Sequence, residues 1–388
     1  MTKIAILGST GSVGRATLAV IARHANLFRV VALCANRSTE TMAAQVREHC
    51  VPVAVIVDPD ALEGVRDLPT AKWRTGPDAV IEIVTDPNVD VVVNAIVGAA
   101  GLEATLAALR AGKRLALANK ESLVAGGPLV MAAAREGCGE LIPIDSEHSA
   151  ILQCLEGHDS SSVSRLVLTA SGGPFRGFTD EELEKVGPED ALRHPTWDMG
   201  AKITVDSATL ANKALEVIEA HHLYGIDYEK IDTVVHPQSI IHSFVEFTDG
   251  SVLSQLGFPT MELPILYALS QPARVPDPIL RTFDPVQSSP LTFQEVDHNR
   301  FRLFTIGIDA GVRGGTVPAV FNAANEVAVG AFLARTLRFS EMADVVAHAI
   351  DIVPQRNVET VDDVLQADTA ARQAAWEFLS SPRSMAGG

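Results

Sequence analysis

Three acidic side chains in two separate segments of the chain could hold a divalent cation. Asp145 and Glu147 stand two residues apart, a spacing that points both carboxylates the same way on an extended backbone. Two neighbouring carboxylates repel each other unless a cation lies between them, and hard oxygen ligands favour Mg²⁺ or Mn²⁺. Glu216 could supply a third carboxylate. The pair Asp145 and Glu147 alone is more typical of a solvated turn, so the metal hypothesis depends on the second segment.

This second segment carries residues that could bind a phosphate group. Asp206-Ser207 is typical of a helix start, and the pattern predicts a helix that continues through Glu216. Asn212 and Glu216 are four residues apart and therefore share one helix face, with Lys213 beside them. Ser207 and Lys213 could clamp a phosphate. The alternative is an ordinary exposed helix face with an amide, a cation and an acid.

Two further segments could complete a substrate site. Residues 170–175 form a glycine-rich turn that carries the Ser171 hydroxyl, and residues 193–200 form a loop in which Pro and Gly disfavour a helix. Trp197 on this loop is either a lid over the substrate or a buried anchor. His194 alone is more typical of a structural histidine than of a catalytic one.

A glycine-rich loop near the start of the chain predicts a nucleotide site. Gly8, Gly11 and Gly14 follow an apolar run and precede a helix pattern, with the spacing G-x-x-G-x-x-G. Glycines in this position let the backbone approach a diphosphate and present N–H groups at a positive helix end. The segment lacks the Gly-Lys-Ser/Thr ending of a Walker A loop. A plain glycine turn is the alternative.

The end of the second apolar run indicates which dinucleotide binds. NAD sites place an acid near this position to bind the ribose hydroxyl, whereas this chain has Asn36-Arg37-Ser38. A guanidinium with short polar neighbours suits a 2′-phosphate, which favours NADPH over NADH. The alternative is that Arg37 is a solvated loop cation.

The apolar patterning predicts the elements that position these residues. In residues 1–145, short apolar runs alternate with helical spacing, which is typical of a Rossmann-like, doubly wound parallel sheet. Residues 146–272 read as a central α+β catalytic domain with a flexible lid loop at 193–203. The proline-rich residues 273–296 read as a linker, and residues 297–388 read as a C-terminal α-helical bundle.

Composition excludes several other classes of protein. Asp and Glu total 48 and Lys and Arg 31, so the formal net charge of −17 argues against nucleic acid or an anionic membrane as partner. With 47% apolar residues, the chain is not a disordered one. We find neither an apolar run long enough for a membrane span nor a signal peptide, and therefore expect a cytoplasmic protein. The four cysteines are expected to be reduced and mostly buried.

Nine strings, in order, resemble one enzyme family, the 1-deoxy-D-xylulose 5-phosphate reductoisomerases. These strings are LGSTGSVG, AIVGAAGL, ALANKESLV, PIDSEHSAI, ASGGPF, RHPTWDMGAKITVDSATLANKALEVIEA, HPQSIIHS, DGSVLSQLG and NAANE. The resemblance implies an NADPH-dependent oxidoreductase and isomerase of isoprenoid synthesis. Its substrate would be a small phosphorylated ketose, converted to 2-C-methyl-D-erythritol 4-phosphate. The divalent cation would be Mn²⁺ or Mg²⁺, with Co²⁺ as a further candidate, and the enzyme would be a homodimer.

The same resemblance implies a role for each matching residue. The implied metal ligands are Asp145, Glu147 and Glu216, which with Lys120 and His194 also form the implied catalytic set. The implied substrate contacts are Ser146, Ser171, His194, Trp197, Ser207, Asn212, Lys213 and Glu216, with Lys120 as a further contact. Among them, the implied phosphate clamp is Ser171, Ser207, Asn212 and Lys213, and the implied lid is Trp197 with Met199. The implied cofactor contacts are Gly8, Thr10, Gly11, Ser12, Val13, Asn36, Arg37, Ser38, Asn119, Glu121 and Gly200.

Two rival functions differ from this reading in what they require. A metal-independent NADP-dependent dehydrogenase of a semialdehyde or hydroxy acid would stay active after chelation. A nucleotide-sensing module would bind NADPH without turnover and would need no group of carboxylates. The residues also leave open how the carbon skeleton rearranges, either by retro-aldol cleavage and re-addition or by migration of a bond.

Overall fold

The computed structural model describes residues 1–63, 65, 67–197 and 199–381, which form two compact units. Unit 1 contains residues 1–122, 129–149 and 260–281, and unit 2 contains residues 123–128, 150–259 and the chain from residue 282 onward. Two sequence predictions extend past the described part. The predicted lid includes Asp198 and the predicted C-terminal bundle includes residues 382–388, and these residues lie outside it.

Unit 1 is built on a parallel sheet of seven strands. Its order is β4-β3-β2-β1-β5-β6-β7, and every neighbouring pair is parallel. The runs rich in Val, Ile, Leu and Ala are buried on both faces, as expected when helices cover a parallel sheet. The strands are β1 (Thr2–Leu7), β2 (Phe28–Ala35), β3 (Val53–Ile56), β4 (Lys72–Thr75), β5 (Val91–Asn94), β6 (Arg114–Leu117) and β7 (Glu140–Pro143).

Helices connect these strands and confirm the predicted doubly wound α/β fold. They are α1 (Ser12–Arg23), α2 (Thr39–His49), α3 (Pro77–Thr85), α4 (Leu102–Arg110), α5 (Lys120–Gly137) and α6 (Ser146–Leu155), with α11 (Glu262–Ser270) returning to unit 1 later in the chain. The strand order reverses between β1 and β5. Open α/β sheets bind ligands outside the carboxyl ends of the strands at such a reversal.

Unit 2 contains a mixed sheet of five strands in the order β11-β10-β8-β9-β12. Strands β8 and β9 are parallel, and the other neighbouring pairs are antiparallel. The predicted α+β character of this region is therefore confirmed. These strands are β8 (Val163–Ala170), β9 (Ile231–Val235), β10 (Ile241–Phe247), β11 (Val252–Leu256) and β12 (Gln294–Glu295).

The helices of unit 2 form two groups along the chain. The early group lies between strands β8 and β9 in the sequence, and the C-terminal group follows β12. The early group is α7 (Asp180–Leu183), α8 (Pro188–Ala191), α9 (Ala201–Thr209) and α10 (Ala211–Tyr224). The C-terminal group, as predicted, is helical throughout: α12 (Arg302–Arg313), α13 (Val317–Leu333), α14 (Met342–Ile352) and α15 (Val361–Ser380). Among the described residues, none of these helices, nor any of unit 1, combines the length and hydropathy needed to cross a bilayer.

The segment from Asp206 to Glu216 differs from the single helix that the sequence predicts. Asp206-Ser207 does not start a helix, because α9 already begins at Ala201 and both residues lie in its second half. The helical course breaks at Leu210, whose φ of 58° is left-handed, and α10 begins at the next residue. Leu210 lacks the flexibility that makes Gly common in this conformation. The break is therefore held by the surrounding packing rather than by local preference.

All four cysteines are thiols rather than disulfides, as predicted, but they are not mostly buried. Cys34 and Cys154 are buried, whereas Cys50 and Cys138 are exposed. The two exposed cysteines both follow a helix end and have positive φ angles.

A partly buried ion-pair network ties the segment around α11 to helix α1 within unit 1. Arg23, in the last turn of α1, donates hydrogen bonds to Glu262 at 2.7 Å and to Asp277 at 2.9 Å. The neighbouring His24 lies 3.0 Å from the same Asp277 oxygen, and the Asp277 side chain is fully buried. Burial alone would raise the pKa of Asp277, but hydrogen bonds from the Ile279 N–H, His24 and Arg23 lower it to about 2.

We predict that Asp277→Ala destabilises the protein by about 3 kcal/mol at pH 7, because Arg23 loses its buried partner. Because folding lowers the pKa of Asp277 from 3.8 to about 2, this stabilisation is present above pH 3.8. It is lost as the pH falls towards 2. Urea unfolding at pH 7 and at pH 3 measures the difference. Asp227→Ala, which removes a largely exposed carboxylate, is the control. If Asp277→Ala lowers the free energy of unfolding equally at both pH values, the ionic role of Asp277 is contradicted.

Candidate active site

The loop after β1 has a backbone that fits closely against its surroundings. Gly8 has a left-handed φ of 76°, and a Cβ atom there would lie 2.4 Å from the Ala95 carbonyl oxygen. A Cβ atom at Gly14 would lie 2.4 Å from the Gly8 carbonyl oxygen. Helix α1 begins at Ser12, and no side chain caps its N-terminus. The loop therefore presents backbone N–H groups at a positive helix end, an arrangement that suits a diphosphate.

The predicted 2′-phosphate site lies at the end of β2. Asn36, Arg37 and Ser38 are all exposed and follow directly after the strand. The Arg37 side chain is 66% exposed and forms an ion pair with Asp58, a residue that the sequence reasoning missed. Asp58 also accepts a hydrogen bond from the Asp60 N–H, which holds its carboxylate in place. The Asp58 carboxylate therefore orients the Arg37 side chain.

Asn119 anchors the loop that follows β5, the strand next to β1. Its amide nitrogen lies 2.6 Å from the Ile96 carbonyl oxygen and 2.9 Å from that of Gly98, and it donates to both. The same nitrogen lies 3.1 Å from a Glu121 carboxylate oxygen. Asn119 and Glu121 are both buried. These two predicted cofactor residues thus shape the loop at the sheet's strand-order reversal.

Asp145 is partly buried beside a lysine. The Lys120 ammonium lies 2.6 Å from an Asp145 carboxylate oxygen, and its side chain is buried. Burial alone would raise the pKa of Asp145, but the positive charges of Lys120 and His148 hold the pKa below its usual range. Asp145 is therefore an anion at neutral pH, as a metal ligand must be.

The local backbone at this pair is not the extended one that the sequence reasoning assumed. Asp145 precedes α6 and Glu147 lies in the first turn of that helix, so the expectation of an extended Asp145–Glu147 segment is wrong. Ser146, between them, donates a hydrogen bond of 2.6 Å to Glu147. The two acids therefore share a helix N-terminus, which favours carboxylates electrostatically, instead of one face of an extended strand.

Glu216 is buried on α10 with the neighbours that its spacing predicted. The Asn212 amide and the Lys213 ammonium each donate a hydrogen bond to one of its carboxylate oxygens. Lys213 and Glu216 are both almost completely buried. The shared helix face predicted for these three residues is therefore present.

The three acids that the sequence singled out come together. Asp145, Glu147 and Glu216 each offer one carboxylate oxygen, and these oxygens lie within 4.8 Å of one another. Hard carboxylate oxygens in this number match the donor set of Mg²⁺ or Mn²⁺. The chemistry of the donors fits a hard divalent cation better than a softer metal that prefers thiolate or imidazole.

His194 links the two serines that were predicted to bind phosphate. Its Nε2 atom lies 3.0 Å from the Ser171 hydroxyl oxygen and 3.1 Å from that of Ser207. Its Nδ1 atom accepts hydrogen bonds from the backbone N–H groups of Thr196 and Trp197, so Nε2 carries the ring hydrogen. Two hydroxyls and one N–H thus converge, a grouping that suits the oxygens of a phosphate.

The sequence reasoning missed Arg176, which acts on this histidine. Burial lowers the pKa of His194, and the nearby charge of Arg176 lowers it further, to about 4. Arg176 directly follows the ASGGPF string, and its guanidinium lies 3.4 Å from the Ser171 carbonyl oxygen. A cation placed after a glycine-rich turn was the signal that could have identified it.

The loop predicted as a lid carries its tryptophan in an intermediate environment. Trp197 is half-buried, and its ring centroid lies 6.4 Å from that of His242. Met199 contributes its carbonyl oxygen, which lies 3.4 Å from the Thr204 hydroxyl. Gly200 is exposed and immediately precedes α9. The static geometry is compatible with both a lid and an anchor, so the lid stays a prediction.

Three family models match this chain over most of its length. They are described as 1-deoxy-D-xylulose 5-phosphate reductoisomerase (residues 4–127), its C-terminal domain (residues 141–224) and DXP reductoisomerase C-terminal domain (residues 256–374). The chain belongs to the 1-deoxy-D-xylulose 5-phosphate reductoisomerase family. The resemblance drawn from the nine strings is therefore confirmed.

Curated reductoisomerases are similar to this chain along almost its whole length. The protein from Heliobacterium modesticaldum is 47% identical over 391 residues, covering 99% of both chains. The protein from Rhodococcus jostii is 49% identical over 381 residues, covering 97% of this chain and 94% of its own. Such coverage means that the similarity includes both units described above.

Solved reductoisomerase structures share the fold. The enzyme from Zymomonas mobilis in complex with NADPH has a TM-score of 0.89 and 41% identity, covering 98% of this chain and 99% of its own. A reductoisomerase in complex with NADPH, fosmidomycin and magnesium has a TM-score of 0.92 and 38% identity, covering 98% of each chain.

We predict that the His194 imidazole titrates near pH 4, well below the usual 6.5, because it is buried and faces Arg176. His194 is then neutral at pH 7. Because the folded protein binds this proton less readily than the unfolded chain does, the free energy of unfolding decreases as the pH falls from 6.5 to 4. NMR titration of the ring protons measures the midpoint, with His194→Asn identifying the signal. A midpoint near 6.5 would contradict the neutral state. Arg176→Gln should raise the midpoint.

Proposed function

We propose that this chain converts 1-deoxy-D-xylulose 5-phosphate to 2-C-methyl-D-erythritol 4-phosphate, using NADPH and a divalent cation. The observation that carries the proposal is the convergence of the Asp145, Glu147 and Glu216 carboxylates. Membership of the reductoisomerase family supports the substrate and the product. Relatives in complex with NADPH and magnesium support the two cofactors.

The three carboxylates would hold the cation, Mg²⁺ or Mn²⁺, with Co²⁺ as a further candidate. When bound there, a divalent cation polarises a carbonyl and favours loss of a proton from a neighbouring hydroxyl. Lys120 and Lys213 balance part of the negative charge, because they pair with Asp145 and Glu216. Lys120, paired with Asp145, would hold a proton beside the reacting oxygens.

The substrate phosphate would be bound by residues that share hydroxyl, amide or ammonium donors. These residues are Ser171, Ser207, Asn212, Lys213 and His194. Ser146 would make a further substrate contact at the start of α6. Holding the phosphate at a distance from the reacting carbons orients the substrate and contributes to the rate of the chemical step.

The cofactor would lie along the nucleotide loop of unit 1. Gly8, Thr10, Gly11, Ser12 and Val13 would accommodate its diphosphate, and Asn36, Arg37 and Ser38 its 2′-phosphate. Asn119, Glu121 and Gly200 would make the remaining contacts. When bound, NADPH supplies the hydride that reduces the rearranged aldehyde. Both routes of rearrangement, retro-aldol cleavage and bond migration, are compatible with these residues.

Several features of the predicted enzyme belong to this proposal as well. Trp197 and Met199 would close over the substrate as part of a lid at residues 193–203. The functional division would follow residues 1–145, 146–272, 273–296 and 297–388. The protein would act as a cytoplasmic homodimer, without nucleic acid or membrane as partner. Light scattering during size-exclusion chromatography tests the dimer.

We predict that Glu216→Gln and Asp145→Asn each lower kcat by at least about 100-fold, because each removes a charged ligand from the cation. NADPH binding, measured by fluorescence titration, should change little. Glu246→Gln, which alters an acid paired with Arg165 elsewhere in unit 2, is the control. Activity is followed by NADPH absorbance with and without EDTA. Full activity in either variant, or after chelation, would favour the metal-independent dehydrogenase instead.

We predict that Arg37→Ala weakens NADPH binding by about 1.5–3 kcal/mol, as for a lost charged hydrogen bond, and leaves NADH binding nearly unchanged. Asp58→Ala should have a smaller effect in the same direction, because Arg37 then keeps its charge but loses its orientation. Calorimetric titration with both cofactors measures the difference, with Arg47→Ala as the control. Equal losses for NADPH and NADH would refute the 2′-phosphate assignment.

A further inference from the structure

We propose that Asn325 is a positioning residue that sets the phosphate-binding segment through a buried hydrogen bond to Asp206. The inference rests on the proposed function, because it concerns the affinity of that same site for a phosphorylated substrate. Asn325 belongs to the NAANE string, to which neither the sequence reasoning nor the proposed mechanism gave a role. It lies on α13, in the C-terminal group of helices.

The contact joins two buried polar side chains that are 119 residues apart in the chain. The Asn325 amide nitrogen lies 2.7 Å from an Asp206 carboxylate oxygen and donates to it. Asn325 is fully buried and Asp206 is 1% exposed. Lys202, one turn earlier on α9, lies 3.0 Å from the other Asp206 oxygen, an ion pair whose geometry is not that of a hydrogen bond. Removal of the Asn325 amide would leave this buried Asp206 oxygen without its hydrogen-bond donor.

Asp206 is the residue directly before Ser207, whose hydroxyl contacts His194. The backbone of Ser207 also packs closely against Gly173, because a Cβ atom at Gly173 would lie only 2.7 Å from the Ser207 carbonyl oxygen. The last turn of α9 is thus fixed between the Gly173 turn and Asn325. Loss of the hydrogen bond from Asn325 would release one of these two restraints on Ser207.

The break at Leu210 makes this restraint important for the whole phosphate group. Ser207 lies before the break and Lys213 after it, on two separate helices. A continuous helix would fix the separation of these two residues by its own hydrogen bonds, whereas a left-handed junction does not. The tertiary contact between Asp206 and Asn325 therefore contributes to the spacing of the phosphate donors.

The test compares Asn325→Ala with the exchange variant Asp206→Asn/Asn325→Asp, in which the amide and carboxylate change places. Asn322→Ala is the matched control, because Asn322 is a buried amide on the same helix that donates to Glu326 instead. For each variant we would measure kcat and the KM values for 1-deoxy-D-xylulose 5-phosphate and NADPH. Inorganic phosphate is a second probe, read as the shift it causes in the thermal unfolding temperature.

We expect Asn325→Ala to raise the substrate KM about tenfold while the NADPH KM changes less than about twofold. The thermal shift caused by inorganic phosphate should shrink in this variant and persist in Asn322→Ala. The exchange variant should have a substrate KM clearly below that of Asn325→Ala, because the hydrogen bond re-forms in reverse, while Lys202 then faces an amide instead of its carboxylate partner. If Asn325→Ala does not fold, Asn325→Ser, which keeps a shorter donor, should show the same pattern.

An unchanged substrate KM in Asn325→Ala, or an equal rise in Asn322→Ala, would overturn the positioning role. Parallel losses in the KM values for both substrates would indicate a general structural effect and overturn it as well. Failure of the proposed function looks different, because the unsubstituted protein itself would then show no turnover of the phosphorylated ketose. In that case the thermal shift with inorganic phosphate would still decide whether Asn325 governs phosphate binding.

Discussion

Mutual repulsion among Asp145, Glu147 and Glu216 is the constraint on which the rest of the site depends. Carboxylate oxygens within 4.8 Å of one another, in partly or fully buried positions, require compensation by positive charge. Lys120 and Lys213 supply part of it, and the lowered pKa of Asp145 shows that the anionic form is favoured there. The two lysines offset part of this negative charge, and the arrangement is suited to a divalent cation.

The scaffold places two of the three acids where backbone dipoles help to hold a negative charge. Asp145 and Glu147 lie at the N-terminus of α6, just after a strand of the parallel sheet, and Glu216 lies in the second turn of α10. Helix N-termini carry partial positive charge, which favours carboxylates by a few tenths to about 1 kcal/mol each. The same principle operates at α1, whose uncapped start faces the nucleotide loop. Helix N-termini therefore serve Asp145, Glu147 and the nucleotide loop, whereas Glu216 relies on the Asn212 and Lys213 side chains.

The sequence predicted the parallel sheet well because its strands are buried on both faces. Such strands are continuous apolar runs, and six of the seven were recognisable in that way. The seventh, Lys72–Thr75, has a Lys-Trp-Arg-Thr sequence and lies at the sheet edge. No strand among the described residues pairs with its outer side, and apolar runs are not required there. A run of apolar residues in the sequence indicates a buried strand. It therefore does not reveal an edge strand that is rich in polar residues.

Within the site, residue types were predicted better than backbone geometry. The shared face of Asn212, Lys213 and Glu216 follows from helical spacing, which is a local property. The break at Leu210 was not predictable, because tertiary packing overrides local preference there. The start of α6 at Ser146 was missed although Asp145 and Glu147 are residue types that favour a helix N-terminus. Arg176, Asp58 and Asn325 were missed because each acts through a partner that is distant in the sequence or on another loop.

The neutral state of His194 has a consequence for how the proposed phosphate group responds to salt. Among the donors described there, the imidazole and hydroxyls contribute dipoles, and the one ammonium, Lys213, is buried and already paired with Glu216. Dissolved ions screen exposed charges strongly but buried pairs and short-range dipoles only slightly. Binding through these dipolar and buried donors should therefore depend little on ionic strength. Salt should instead screen the exposed guanidiniums of Arg176, beside His194, and of Arg37, at the proposed 2′-phosphate site.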